Sequence, residues 1–180
     1  MNIKRYIATI ILAIVLLLNF SCTDWLDVKP VDRMSEDQLY STEAGFRQAL
    51  NGIYVELNHA DLYGDELLVN TVEILAQRYK FSSMGTLTNQ YHLAEFDYTT
   101  DYAKKCGSRI WEKAYALIAN VNKLLKNADS HKDLFTGDSY DLITGEAYAL
   151  RAFLHFDLLR LFGPVYKTHK EDKSICYNTQ

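Results

Sequence analysis

The side chain with the clearest chemical context in the sequence is Cys22, which follows a basic and then an apolar segment. Lys4 and Arg5 precede a run from Ile7 to Leu18 in which only Thr9 is polar. As a helix that run would span roughly 18 Å, which is short of the roughly 30 Å hydrocarbon core of a membrane. The run is therefore typical of the apolar region of a signal peptide.

A small residue, Ser21, stands directly before Cys22. Bacterial lipoprotein signal peptidase cleaves at such a site after the cysteine thiol has been diacylated. We therefore predict that residues 1–21 are a lipoprotein signal peptide and that Cys22 is lipidated, although Asn19 stands where an aliphatic residue is commoner. Two acyl chains give stable anchoring without a membrane span. The alternative is an ordinary secretory signal followed by a chance cysteine.

Side chains that could catalyse a reaction are present, but they lack the spacing that catalysis needs. Glu66 and Glu73 are seven residues apart and could share a helical face, which we interpret as a structural surface rather than a glycosidase pair. No nucleophile elbow or glycine-rich phosphate loop occurs. Neither H-x-x-x-H nor H-E-x-x-H spacing occurs among the histidines, which are His59, His92, His131, His155 and His169. We predict that the chain is not an enzyme and uses no cofactor or metal.

Tyrosine is abundant, with 13 among 180 residues. Sugar rings present flat apolar C–H faces with polar edges, so aromatic rings beside amides suit carbohydrate. One polar segment combines these types, and we predict that its ligand-binding residues are Asn89, Tyr91, His92 and Tyr98. Three tyrosines at helical spacing are interpreted as core residues, namely Tyr54, Tyr115 and Tyr148.

The remaining sequence is organised mainly by helical periodicity. Residues 22–34 are predicted to be a tether, and residues 35–180 a helical domain. Ser35 and Gln38 have capping-box spacing, which predicts a short helical turn, and Thr42 predicts a second helix start. Apolar residues from Phe46 to Leu57 share one face of that second helix. Its two glycines are expected to mark close packing: Gly45 and Gly52.

Two further segments precede the long helices. A helical pattern runs from Asp61 to Tyr79, whereas no helical period fits Phe81 to Thr100. We predict a long irregular loop near 81–100, with at most a short extended piece. Loops of this length in compact domains are often functional.

Two long helices close the sequence. The first carries an apolar stripe from Ile110 to Leu125, and the second carries a seam from Ile143 to Leu161. Gly163 is predicted to be a left-handed cap, and Pro164 prevents continuation. Because the second helix has another apolar seam on a neighbouring face, we expect it to be packed on two sides; that seam consists of Ala149, Ala152, Phe153 and Phe156. These patterns predict an all-α class with tetratricopeptide-like helical hairpins.

The polar residues of the last helix include Asp157 and Arg160, which we interpret as a helix–helix ion pair that fixes register, with a ligand clamp as the alternative. Cys106 and Cys176 are interpreted as free, with a disulfide as the alternative. The formal net charge is −4, and loss of Lys4 and Arg5 with the signal would make it more negative. No basic cluster survives, so nucleic acid is a poor partner.

Three stretches together resemble the SusD/RagB family of Bacteroidetes outer-membrane nutrient-binding lipoproteins. They are Cys22–Pro30 (CTDWLDVKP), Trp111–Leu125 (WEKAYALIANVNKLL) and Gly145–Pro164 (GEAYALRAFLHFDLLRLFGP). The third stretch is the most specific. The resemblance covers almost the whole mature chain and corresponds to the amino-terminal third or so of a typical member, so we expect the helical domain to be truncated.

The resemblance implies a lipid-anchored protein on the outer face of the outer membrane. Members cap a TonB-dependent (SusC-like) transporter and capture oligosaccharides or other nutrients for import. By position, the 81–100 loop would contribute to the glycan face, which favours Tyr91. The alternative function is a lipid-anchored tetratricopeptide-like interaction module without a ligand of its own.

Overall fold

Every regular element in the described part of the chain is a helix. The computed structural model describes residues 34–81 and 89–179. Its α-helices are α1 (Glu36–Leu39), α2 (Glu43–Leu57), α3 (Thr71–Leu75), α4 (Asn89–Ala94), α5 (Asp101–Ser130), α6 (Ser139–Phe162) and α7 (Tyr166–His169), with a 3₁₀ turn at Lys132–Leu134. The predicted all-α class is confirmed. Cys22, the predicted signal peptide and all of the tether except Met34 lie outside the described residues.

The main core lies where α2, α5 and α6 pack together. Side chains at three- and four-residue steps on each helix meet there, among them Phe46, Leu50, Ile118, Leu124, Ala147 and Leu154. The predicted apolar stripes of both long helices are thus confirmed as core. A connection of only eight residues makes α5 and α6 a helical hairpin, and residues from Glu36 onward form one compact unit.

The start of α2 is fixed by a cap and by close packing. The Thr42 hydroxyl oxygen accepts from the Gly45 amide at 3.1 Å, which confirms the predicted helix start. A Cβ on Gly45 would lie 1.7 Å from the Leu39 carbonyl oxygen, so only glycine lets α1 and α2 approach this closely. Gly52 has open space around it, and its predicted role in close packing is wrong.

A carboxylate joins α2 to the connection between α5 and α6. Glu43 accepts hydrogen bonds from the Thr136 amide at 3.0 Å and the Thr136 hydroxyl at 2.9 Å. Arg47 pairs with the other Glu43 oxygen at 3.0 Å and also donates to Ser139 at 2.9 Å. Hydrogen bonds from Ser139, Thr136 and Arg47 lower the pKa of Glu43 to about 2.

The helix expected from Asp61 to Tyr79 is largely absent, because that segment is turns apart from α3. The Asp65 carbonyl accepts from three successive amides, those of residues 68, 69 and 70, which is turn geometry. Glu66, for which the sequence predicts a helix surface, is instead buried and forms an ion pair with Arg109 of α5. Tertiary contacts have overridden the local helical pattern here.

The predicted loop at 81–100 is also corrected in part, because α4 occupies Asn89–Ala94. Leu93 and Ala94 are buried against Ile74 of α3 and Ala103 of α5 in a second, smaller core. That burial stabilises a helical turn too short to show a period in the sequence. Residues 82–88 of the predicted loop lie outside the described residues.

The carboxyl-terminal end of α6 differs from expectation in two ways. Gly163 has φ −78° and ψ 159°, so it is extended rather than left-handed. Glycine is required there because a Cβ would lie 2.4 Å from the Leu159 carbonyl oxygen. The second apolar seam is exposed rather than packed, with Phe153 and Phe156 at 46% and 57% exposure.

Asp157 and Arg160 form an ion pair within α6 rather than between two helices, and a tyrosine outside α6 also binds Asp157. Arg160 and Asp157 pair at 3.0 Å within the helix, and the Tyr63 hydroxyl donates to Asp157 at 2.7 Å. The bond to Tyr63 supports the structural interpretation of Asp157. Cys106 and Cys176 are free, the first buried and the second exposed. No helix in the described ranges combines the length and hydropathy needed to cross a membrane.

Candidate ligand-binding surface

The candidate site is a cavity of about 420 Å³ beside the segment that links α4 to α5. Tyr98, 57% exposed, lines it together with residues from α3, α5 and the end of α6. The remaining lining residues are Thr71, Leu75, Leu93, Ala103, Lys104, Cys106, Gly107, Ile110, Leu161 and Phe162. The cavity is mainly apolar, with a tyrosine and a lysine among its few polar groups.

Paired hydrogen bonds beyond its last residue terminate α4. The Phe96 amide donates to the Leu93 carbonyl at 3.0 Å, and the Asp97 amide donates to the His92 carbonyl at 2.9 Å, which is a Schellman motif. Phe96 occupies the left-handed position of this motif with φ 59°, where glycine is usual. A bulky side chain in that conformation is a strained feature of the kind found at functional sites.

The same motif ends α3 and ties it to α4. Gln77 has φ 60°, and its amide donates to the Ile74 carbonyl at 3.0 Å. The Gln77 side-chain amide then donates to the Ala94 carbonyl at 2.6 Å. The end of α4 and the start of the Tyr98 segment are therefore fixed by α3.

Asp97 organises the turn that presents Tyr98. Its carboxylate accepts from the Thr99 amide at 3.0 Å and the Thr99 hydroxyl at 2.6 Å. His92 Nδ1 lies 3.5 Å from the other carboxylate oxygen. The Thr99 hydrogen bonds, with a smaller contribution from His92, lower the pKa of Asp97. The turn therefore carries a fixed negative charge next to the aromatic residues.

The four predicted ligand residues do not form a single cluster, because three of them lie on α4 and the fourth lies at the cavity. Tyr91 and His92 are neighbours on α4, with ring centroids 6.1 Å apart, and both are half-buried. Asn89 is exposed at the start of α4. Only Tyr98 lines the cavity.

Sequence reasoning missed three residues of this surface: Phe96, Asp97 and Phe162. Asp97 had a readable signal, because aspartate often accepts from the backbone amide two residues on and Thr99 follows at that distance. Phe96 had none, since phenylalanine rarely takes a left-handed backbone. Phe162 was interpreted only as part of the last helix.

A buried polar network lies next to the cavity, around Cys106 and Thr71. The Thr71 hydroxyl donates to Glu66 at 2.5 Å, and Arg109 pairs with Glu66 and lies 3.7 Å from the Cys106 sulfur. The pKa of the Tyr102 hydroxyl is raised mainly by burial and secondly by the nearby Cys106 thiol. This network joins the turn before α3 to α5 and serves the fold. Within the described ranges, no group of three acidic, histidine or cysteine side chains could hold a metal ion.

A second, more polar groove runs along α5 and α6. The Arg151 guanidinium lies 5.1 Å from the ring centroid of Tyr148 and donates to the Asn122 side chain at 2.8 Å. Tyr148 was predicted to be a core residue, but it is half-exposed. The end of the described chain enters this groove, where Asn122 donates to the Asn178 carbonyl and Arg151 to the Thr179 carbonyl. Polypeptide therefore fills part of this groove. Tyr54, also predicted to be core, is exposed and donates to Glu146.

Comparison with known proteins gives a family match over nearly all of the chain. The model of a SusD-like family, described as starch-binding and associating with the outer membrane, matches residues 24–179. Two curated relatives come from Formosa agariphila. SusD-like protein P2 is 27% identical over 162 residues, which is 90% of this chain and 30% of the relative. SusD-like protein P25 is 27% identical over 148 residues, which is 80% of this chain and 28% of the relative. The chain thus spans less than a third of the length of these relatives, and no solved structure gives a significant match.

Proposed function

This chain belongs to the SusD-like family, and on that premise we propose that it is the helical amino-terminal part of a surface lipoprotein that captures glycans or other nutrients. The captured ligand is delivered to a TonB-dependent outer-membrane transporter. The observation that carries the proposal is the family match over residues 24–179, because the family is starch-binding and associates with the outer membrane. A lipid on Cys22 supplies the anchor.

The residues around α4 provide chemistry that suits a sugar. Tyr91, Phe96 and Tyr98 put three aromatic rings within eight residues, and the rings of Phe96 and Tyr98 are more than half exposed. An aromatic face packs against the C–H face of a sugar ring, while Asp97 and His92 accept from or donate to its hydroxyl groups. The hydrogen bonds from Thr99 lower the pKa of Asp97, so its carboxylate is ionised at neutral pH and can accept hydrogen bonds from sugar hydroxyl groups. The starch-binding description of the family supports a role in binding the ligand.

The proposal is tested by calorimetric titration of the mature chain, carrying Cys22→Ala, with defined oligosaccharides. Maltoheptaose, cellohexaose, laminarihexaose and xylohexaose are suitable probes. We expect saturable binding to at least one probe, and Tyr98→Ala to weaken it by up to about tenfold, since one aromatic contact contributes about 0.5–1.5 kcal/mol. Tyr54→Ala is the matched control, because Tyr54 is also exposed but lies on α2. Equal loss from both variants would contradict the assignment of Tyr98.

The alternative, a lipid-anchored interaction module without its own ligand, is favoured by one observation. Among the described residues, a broad apolar face of α6 that includes Phe153 and Phe156 is exposed, which suits a protein partner better than a glycan. A folded sample that is silent against the whole panel supports this alternative. Purification of the anchored protein from outer membranes then separates the two proposed functions, since delivery of a ligand requires a SusC-like transporter in the purified complex.

A further inference from the structure

Residues 176–179, which we call the strap, lie across both long helices. Tyr115 of α5 donates to the Cys176 carbonyl at 2.6 Å, and Arg151 of α6 donates to the Thr179 carbonyl at 3.4 Å. All four strap residues are exposed, so hydrogen bonds hold the strap with little apolar burial. Segments with few buried contacts and exposed backbone hydrogen bonds open locally at a low free energy. The loss of one further contact is therefore enough to shift the position of the strap.

That further contact joins the backbone of the strap to a buried histidine. The Asn178 amide donates to Nε2 of His155 at 3.2 Å, and His155 is 5% exposed. The other ring nitrogen, Nδ1, lies 2.8 Å from the Arg151 carbonyl oxygen. A carbonyl oxygen only accepts, and a backbone amide only donates. Nδ1 therefore carries the ring proton and Nε2 is bare, so the docked strap requires the neutral imidazole in one tautomer.

A second proton on the imidazole would disrupt this arrangement. It would place an N–H at Nε2 directly against the N–H of Asn178, so that a hydrogen bond becomes a contact between two donors. Within the described ranges, the histidines that pair with a carboxylate are His59 and His92, and His155 is not among them. A buried charge without a partner is unfavourable. The charged imidazole would therefore be stabilised by water that replaces the strap.

The titratable and charged groups that the described chain places around His155 do not offset its positive charge. Tyr115 faces it from α5 with its ring edge-on, at 6.4 Å between ring centroids. The strap contributes Cys176 and the Tyr177 ring, whose centroid lies 4.8 Å from that of the imidazole. One turn earlier in α6 stands Arg151, which is itself a cation. Burial and then the nearby Cys176 raise the pKa of Tyr115, so its hydroxyl stays protonated and continues to donate to the strap in acid.

We propose that His155 is a pH-sensitive switch, which holds the strap on α5 and α6 while its imidazole is neutral and releases the strap when the imidazole takes up a second proton. Histidine is the side chain whose charge ordinarily changes between about pH 5 and pH 8. Because the docked strap selects the neutral form, docking is complete at the upper end of this range and is lost as the pH falls. This inference concerns the strap alone and does not depend on glycan capture.

Release of the strap changes the polar groove that lies along α5 and α6. The docked strap places its Asn178 carbonyl on Asn122 and its Thr179 carbonyl on Arg151. Tyr148 lines the same groove next to Arg151. When the strap leaves, these two carbonyls leave with it, and the groove opens beside the exposed tyrosine. Acid therefore uncovers a polar surface that the strap covers at neutral pH.

Nuclear magnetic resonance of the mature chain, carrying Cys22→Ala, tests the proposal between pH 8 and pH 5. We expect the His155 imidazole and the Asn178 amide to change together, with one midpoint between about pH 5 and pH 7. Protection of that amide against hydrogen exchange, corrected for the intrinsic rate, should fall by up to about tenfold for each pH unit. His155→Gln can still accept from Asn178 but cannot titrate, so it should abolish the transition at Asn178. His169→Gln is the matched control, because His169 is exposed on α7, and it should leave the transition unchanged.

Tyr115→Phe gives a second readout that keeps the histidine. It removes the hydrogen bond to the Cys176 carbonyl, so the strap docks less tightly and a proton displaces it more easily. The midpoint should move to higher pH by up to about one unit. An unchanged midpoint in Tyr115→Phe would overturn the proposal, as would a transition at Asn178 that persists in His155→Gln. Protonation of His155 while the Asn178 amide remains protected would also overturn it.

Discussion

Replacing Gly45 by alanine should destabilise the fold, whereas the same change at Gly52 should stabilise it. The Cβ added at Gly45 would lie 1.7 Å from the Leu39 carbonyl oxygen and 2.8 Å from its carbon, so α1 and α2 must move apart. Overpacking of this kind costs about 1–3 kcal/mol and occasionally more, and weakening the Thr42 cap adds up to about 1 kcal/mol. Alanine recovers about 1 kcal/mol through its higher helix propensity, which leaves a net loss of about 2 kcal/mol.

Gly52→Ala tests the effect of helix propensity without any packing effect, because nothing lies within 4 Å of a Cβ added at Gly52. Gly52→Ala should therefore raise the free energy of unfolding by about 1 kcal/mol. Thermal and urea unfolding of the two variants, followed by far-ultraviolet circular dichroism, should show a lower midpoint for Gly45→Ala by about 6 °C and a higher one for Gly52→Ala by about 3 °C. Equal stabilisation by both substitutions would refute the close approach of Leu39 to Gly45.

Three other expectations concern charge and anchoring. Because the pKa of Glu43 is about 2, its contribution to stability is complete above about pH 4.5 and is lost as the pH falls towards 2. The thermal unfolding midpoint of the parent protein should therefore fall more steeply across this window than that of Glu43→Gln. Parallel curves for the two proteins would contradict this expectation. Arg109→Ala removes the cation that pairs with Glu66, whose side chain is only 3% exposed. The substitution should lower the free energy of unfolding in urea titrations by about 2 kcal/mol, and an unchanged value would show that the ion pair is dispensable. Cys22→Ala should abolish fatty-acid labelling in cells and release the protein from the membrane, and a labelled, anchored variant would refute lipidation.

The long helices could be predicted from sequence because their apolar residues repeat without interruption. The start of α5 could not, since residues 101–109 are mostly polar and show no stripe, although Thr100 caps the helix by accepting from the Ala103 amide at 3.3 Å. The second apolar seam of α6 was predicted to be packed, but Phe153 and Phe156 are exposed, because the sequence cannot show which of two apolar faces finds a partner.

The segment before α3 could not be predicted, because its conformation depends on a distant residue. Glu66 is buried where Arg109, which lies 43 positions further along the chain, pairs with it. Read alone, Asp61 to Tyr79 has the apolar spacing of a helix. The ion pair and the buried Leu62 turn it instead into a series of turns.

The candidate site was predictable only in part. Residue type pointed to Tyr98, and the structure places it at a cavity. The cavity itself arises from α3, α5 and the end of α6, which are distant in sequence, so no local pattern reports it. The left-handed backbone of Phe96 depends on the hydrogen bonds that end α4, and its residue type gives no hint of it.

The most direct test of the proposed function is the binding of fluorescent polysaccharide to intact cells that express the protein at its native locus, with surface exposure checked by external protease. We expect cells with the parent protein to retain a labelled glycan identified by titration. Cells with Cys22→Ala or Tyr98→Ala should lose most of that retention, the first because the protein leaves the surface and the second because the anchored protein binds its ligand weakly. Retention that is unchanged in both variants, or a parent protein that external protease cannot reach, would contradict a role in capturing glycans at the cell surface.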